Sequence, residues 1–265
     1  MAAQTIRIAP EAAHSERRHV GRIVAGAALM FVVLQGGLTL LSPRLDITWT
    51  SFIVTAAMFA VVLAIEGLAF RRTPRQALAA LGFGRPNPRA LLAAGIISLG
   101  LISFFPIYAV VTGTPLVLKS DWLWVLVGAI VLNGLGEETL FRGFVFGHLR
   151  QAGHSFRRAG AISMVIFGAV HLYLFTSNPA VVALLATALA MSAAFPFAFL
   201  YERSGNTIWA GVIFHVASHA FRLMAIPDAQ ALTVASAWIL IQFSAVFFVF
   251  AFRNNLLKPV RRETR

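Results

Sequence analysis

The stretch "LNGLGEETLFRGFVFGHL", Leu132 to Leu149, sets two adjacent glutamates and an arginine inside an otherwise apolar run. Whether Glu137, Glu138 and Arg142 lie in water or in lipid decides the fold. The 265-residue chain is 58% hydrophobic and 12% charged, with a mean hydropathy of +0.79, against about 25% charged residues in a soluble domain. These values identify an integral membrane protein. Cysteine is absent, which excludes disulfides, thiolate metal sites and a cysteine nucleophile.

Crossing roughly 30 Å of hydrocarbon takes about 20 apolar residues in a helix, and runs of that order can be marked between clusters of charge and proline. They are Val20 to Leu41, Ile47 to Phe70, Ala90 to Val111, Trp122 to Leu149, Ala159 to Phe175, Pro179 to Tyr201, Thr207 to Ile226 and Ala231 to Phe252. Nothing repeats at a fixed period, and no soluble segment is long enough for a second domain. The expectation is an all-α integral membrane protein, a bundle of about eight transmembrane helices in a single polytopic domain over 1–265. Basic tails occupy 1–19 and 253–265, and the polar motifs fall within about 122–221.

The net charge of +12 and pI of about 11.6 would suit nucleic acid if the cations formed one patch. They do not. With the amino terminus inside, the inner segments hold Arg7, Arg17, Arg18 and Arg22, then Arg71, Arg72, Arg75, Arg85 and Arg89. Arg150, Arg157, Arg158, Arg203, Arg253, Lys258, Arg261, Arg262 and Arg265 follow on the same side. The opposite side has only Arg44, Lys119 and Arg222, and Arg142 lies within a span. This asymmetry is the positive-inside pattern. It predicts a multi-pass protein of a bacterial-type plasma membrane with both termini cytoplasmic, whose basic charge meets anionic lipid and not nucleic acid. Trp49, Trp122 and Trp124 fall at the outer ends of their helices, as an interfacial belt requires. The first span follows a charged tail and reads as an anchor, not a cleaved signal peptide.

Glu137 lies about 15 residues into the fourth span, or roughly 22 Å from its outer end, so its carboxylate is at membrane depth. An ionisable group there costs at least a few kcal/mol and is tolerated when it faces the bundle interior or a water-filled cavity. Glu138 and Arg142 are four apart on one helix face and can neutralise each other. Glu137 is rotated by roughly 100° from Glu138 and has no basic partner at helical spacing. Three histidines lie at similar depth: His171 in "MVIFGAVHLYLF", and His215 with His219 in "IWAGVIFHVASHAF", four apart and on one face. The remaining histidines, His14, His19, His148 and His154, sit in charged tails or loops, where solvation is expected. Burial of one glutamate and three histidines in one bundle suggests a single polar site.

The Glu-Glu-x-x-x-Arg arrangement at Glu137, Glu138 and Arg142, the Phe-x-x-x-His at Phe167 and His171, and the His-x-x-x-His at His215 and His219 together resemble the motifs of the CPBP or Abi intramembrane endopeptidases. That family includes the eukaryotic CAAX prenyl protease and bacterial bacteriocin-processing and immunity proteins. The approach "YERSGNTIWAGVIFH" is similar to the family's inner turn into the third motif. The resemblance covers roughly Trp122 to Phe221. One position departs: where most members carry asparagine, this chain has His219.

Peptide hydrolysis needs an activated water, a proton for the leaving amine and donors aimed at the developing oxyanion. Glu137 suits the general base, and His171 can orient the same water and shuttle its proton. His215 and His219 then face the scissile carbonyl as oxyanion donors, since a neutral imidazole still donates one hydrogen bond. The resemblance implies the same roles, with Glu138 and Arg142 holding the helix and orienting the water. No cofactor is required. The alternative is a zinc-dependent version of the same protease, because His171, His215, His219 and Glu137 offer three nitrogens and an oxygen.

Other protease classes lack their residues. No His-Glu-x-x-His run occurs, Ser204 belongs to a turn and not a nucleophile elbow, and no aspartate lies mid-span. Buried Glu, His and Arg also make proton relays, so a transporter is a rival, although the inverted repeats of many transporters are absent. A non-catalytic immunity or scaffold protein is a third reading. Gly143 and Gly147 can admit a close neighbour. The predicted partners are membrane lipids and a membrane-associated protein or peptide substrate. The depth of the site points to substrate entry from the inner leaflet or the cytoplasm.

Overall fold

The computed structural model describes residues 10–257 apart from residue 177, with side chains from residue 19 onward. The expected tails lie partly outside the described residues: Arg7, Lys258, Arg261, Arg262 and Arg265 wholly, and the side chains of His14, Arg17 and Arg18. The chain runs as α1 (Pro10–Leu41), α2 (Ile47–Leu68), α3 (Pro74–Ala80), α4 (Pro88–Ile102), α5 (Phe104–Thr112), α6 (Trp122–Ala129), α7 (Gly147–Gln151), α8 (Phe156–His171), α9 (Ala180–Arg203), α10 (Trp209–Ser218) and α11 (Asp228–Phe248). Between α6 and α7 the same rod continues as two π-helical segments, Ile130–Glu137 and Thr139–Phe146. Two-residue strands β1 (Val117–Leu118) and β2 (Met224–Ala225) pair antiparallel.

Among the described residues, seven helical stretches are long and apolar enough to cross a membrane: His19–Leu41, Ile47–Leu68, Pro88–Thr112, Trp122–Gln151, Phe156–Thr176, Ala180–Arg203 and Asp228–Phe252. The eighth expected span, Thr207 to Ile226, is helical over only part of its length, although it leads from Ile208, bonded to Gly82 at one end of the bundle, to β2, paired with β1 at the other. Its helix α10 has 10 residues, about 15 Å at the helical rise. The chain then turns at His219 into a 3-10 turn, Ala220–Leu223, and β2. Such a short element is tolerated because it is wrapped: α10 packs against α4, α9 and the first π segment, so protein and not lipid surrounds its ends. The third span is also broken. Pro106 has no N–H to give the preceding turn, and α4 ends at Ile102 with Ser103 Oγ donating to Gly100 O at 2.7 Å.

Local capping sets where the helices start. Asp46 accepts from Thr48 N at 2.8 Å and Trp49 N at 3.1 Å at the head of α2, satisfying amides that would otherwise lack partners. Thr73 and Gln76 form a capping box with Pro74 at the first position of α3. Asn87 precedes Pro88 at the start of α4, and Ser155 caps α8. The ends of the bundle are therefore distinct. Trp124 Nε1 donates to Asp46 at 3.1 Å and stacks edge-on with Trp49 at one end. At the other, Asn87 Nδ2 donates to Arg203 O at 3.2 Å, Ile208 N to Gly82 O at 3.0 Å, and Arg150 pairs with Glu202 at 2.5 Å. Ser204 lies in this second end as a turn, its hydroxyl bonded to Tyr201 O and to Thr207.

The π rod carries the polar motif through the centre. From Glu138 to Leu149 every residue is buried. Gly143 faces the carbonyl of Leu81, and Gly147 faces Tyr201. At both positions a β-carbon would meet the neighbour at less than ordinary contact distance, so the missing side chains allow the approach, as is usual where helices pack without a hydrophobic driving force.

One polar cluster revises the sequence reading. His148 and His154 are buried, not solvated. His148 Nε2 lies 2.9 Å from Glu66, whose other oxygen accepts from Arg72 at 2.7 Å, and His148 Nδ1 donates to Phe144 O at 2.9 Å. Glu66 is fully buried near the end of α2, and a buried carboxylate is retained only with such partners. His19 stacks over His148 with ring centroids 6.4 Å apart.

Candidate active site

Glu137 closes the first π segment and Glu138 joins it to the second. A π-helix has more residues per turn than an α-helix, so the two side chains diverge by less than the roughly 100° of an α-helix. Both turn toward His215 on α10. Glu138 Oε1 accepts from His215 Nδ1 at 2.7 Å and from Arg142 at 3.0 Å. His215 Nε2 lies 3.6 Å from Glu137 Oε2. The sequence set Glu138 and Arg142 apart as a local ion pair; the structure ties that pair directly to a third candidate residue.

Arg142 is 1% exposed. Its guanidinium lies between two rings, 4.8 Å from the centroid of Phe167 and 4.6 Å from that of Phe197, which adds attraction to its carboxylate partner. Glu138 Oε2 has no hydrogen-bond partner among the described residues and sits where Gly211 has no side chain. Only glycine at 211 leaves space for that carboxylate. His215 is held from three directions: Glu138 on its Nδ1, the edge of Phe197 at 5.2 Å, and His219 stacked at 5.3 Å and 19°.

Glu137 differs from its neighbour. Its side chain is 12% exposed, against 0% for Glu138, and it faces a cavity. Its Oε1 accepts from Asn133 Nδ2 at 2.6 Å, while Asn133 Oδ1 accepts from Arg222 at 3.2 Å. His171, at the end of α8, donates from Nδ1 to Phe167 O at 2.7 Å. A carbonyl only accepts, so in the neutral ring Nε2 keeps its lone pair.

Two cavities meet here. One, of about 190 Å³, is lined by Gln35, Ser42, Asn133, Glu137, His171, Tyr173 and Arg222, among others. The second, of about 420 Å³, is lined by Arg142, His171, His215, Ser218, His219 and Arg222, with an apolar wall that includes Phe167, Phe197, Leu189 and Trp238. All six residues singled out from the sequence are thus brought together. Glu137, His171, His215, His219 and Arg142 line one or both cavities, and Glu138 lies behind His215. Asn133 and Arg222 complete the polar surface. Asn133 was legible in principle, four residues before Glu137 and so on its face, whereas Arg222 lay in a stretch expected to be a simple crossing.

The four donors considered for zinc, His171, His215, His219 and Glu137, line the two cavities. His215 gives its Nδ1 to Glu138 and His171 its Nδ1 to a carbonyl, contacts that leave each Nε2 to other partners, and among the described residues no group of three or more His, Asp or Glu side chains stands close enough together to hold a metal ion.

Residues 119–221 match the family model described as type II CAAX prenyl endopeptidase Rce1-like. The matched stretch contains Glu137, Glu138, Arg142, His171, His215 and His219, and it supports the CPBP/CAAX protease family. No curated protein and no solved structure matches the chain.

Proposed function

We propose that this multi-pass membrane protein, through its Rce1-like region, is an endopeptidase that hydrolyses peptide bonds of membrane-associated protein or peptide substrates. Glu137 takes a proton from a water in the shared cavity, and His171 Nε2, free to accept, orients that water and passes the proton to the leaving amine. His219 presents a ring N–H to the oxyanion of the tetrahedral intermediate, and His215, whose Nδ1–H goes to Glu138, does so from Nε2 when the ring carries its second proton. Glu138 fixes the ring of His215 through Nδ1, and Arg142, clamped between Phe167 and Phe197, fixes Glu138. These last two are positioning residues: they touch no reacting atom in this scheme.

The observation that carries this reading is the different surroundings of two adjacent carboxylates. Glu138 is sealed and bonded to both His215 and Arg142, while Glu137 is open to a cavity that it shares with His171, and His171 also lines the neighbouring cavity that receives His215 and His219. Two carboxylates with separated environments are a recurrent basis for separated roles. In this scheme the side chains act without a metal; the alternative, zinc held by His171, His215, His219 and Glu137, would show as bound zinc whose removal by chelators abolishes cleavage. We further propose that the arginine-rich end, with both termini, faces the cytoplasm. The test is Glu137→Gln assayed on a co-expressed membrane substrate: the variant should fold and fail to cleave, and full cleavage would refute the assignment.

A further inference from the structure

We propose that substrate reaches Glu137 from the arginine-poor face of the membrane, the non-cytoplasmic one, so that the peptide bonds cut belong to segments of membrane-associated proteins exposed on that side. This rests on the endopeptidase reading and on the orientation given with it. It replaces entry from the inner leaflet or cytoplasm, which depth along the fourth span alone had suggested.

Three observations carry it. First, the smaller cavity runs from Glu137 past Gln35 to Ser42 and Ile47. Ser42 is exposed and Ile47 is 42% exposed, and both flank the α1–α2 connection, at the end where Asp46 holds Trp124. Tyr173, 41% exposed, and the exposed Arg222 line both cavities at that same end.

Second, the route from the other end is filled. Below Glu138 the second π segment is buried throughout, with Phe141, Phe144 and Phe146 at 0% exposure, and Gly143 lies against the backbone of Leu81 so closely that not even a methyl group fits. Packing of that density leaves no path for a polypeptide. Third, the two ends differ in charge. At the open end Arg44, Lys119 and Arg222 are matched by Asp46, Asp121 and Asp228, whereas the closed end gathers the arginines of the α2–α4, α7–α8 and α9–α10 connections. A bias of that sign over short loops marks the cytoplasmic side, so the closed end faces the cytoplasm and the open end faces away from it.

The absence of cysteine makes the full-length chain its own background for the test. Gln35→Cys and Ser42→Cys place a thiol in the route, and Arg157→Cys places one at the exposed start of α8 on the arginine-rich side. Intact spheroplasts are treated with a membrane-impermeant maleimide. Gln35→Cys and Ser42→Cys should be labelled without permeabilisation, and Arg157→Cys only after it. The proposal is overturned if Gln35→Cys is unreactive from outside, or if Arg157→Cys is the one labelled there. Outside labelling together with undiminished cleavage by Glu137→Gln would instead sink the endopeptidase assignment and leave the route standing.

Discussion

A single methyl group at position 211 tests the geometry around Glu138 more sharply than removal of any charged residue. A β-carbon built on Gly211 meets Glu138 Oε2 at less than any real contact distance, with Cδ at 3.1 Å and Cγ at 3.5 Å. Glu138 cannot easily retreat, because its Oε1 is held by His215 at 2.7 Å and by Arg142 at 3.0 Å. Either the carboxylate or α10 must therefore move by roughly half an ångström or more, and α10 carries His215 one turn beyond Gly211. Overpacking of this kind costs about 1–3 kcal/mol of stability, and misplacement on the order of an ångström costs about 100-fold in rate. Gly211→Ala should thus lose roughly 10- to 100-fold in kcat for a membrane reporter substrate while unfolding only modestly earlier in detergent. Gly95→Ala is the control, since nothing lies within 4 Å of its β-carbon, and it should be neutral in both assays. Wild-type kcat in Gly211→Ala would refute the linkage of Gly211, Glu138 and His215.

Other substitutions separate the remaining roles. Glu138→Gln keeps an oxygen for His215 but leaves Arg142 as a buried cation without a counter-charge, a loss of about 3–5 kcal/mol softened by the Phe167 and Phe197 rings; thermal unfolding in detergent should show it, whereas Glu137→Gln should unfold like wild type. His219→Ala should lower kcat by about 10²–10³, the typical cost of one oxyanion donor. His219→Asn, which returns the residue most of the resembling family carries, should retain activity within roughly tenfold because the amide can still donate; equal loss in both variants would remove His219 from the oxyanion site.

Spacing made part of this site readable in advance. Glu138 with Arg142 and His215 with His219 are each four apart in helices, so their shared faces follow from the helical repeat alone. The convergence of three distant helices on one point did not follow from composition. It was suggested by depth and by the family resemblance, and the structure adds the 2.7 Å contact between Glu138 and His215. The π geometry of 130–146 has no signature in hydropathy, because apolar residues surround the rod on every side. The end of helix α10 is hidden for a related reason: the run from Thr207 to Ile226 is apolar on both sides of the turn at His219, so hydropathy does not show that only ten of its residues form the α-helix. His148 was misread because its partners, Glu66 and Arg72, come from a helix end and a loop more than seventy residues away.

The account turns on the carboxylate of Glu137, and the most direct measurement compares peptide termini in membranes from cells carrying wild type or Glu137→Gln at equal expression. The account predicts at least one membrane-associated protein whose cut termini appear with wild type and whose uncut form accumulates with the variant. Identical termini in the two membranes, with both proteins folded, would contradict it.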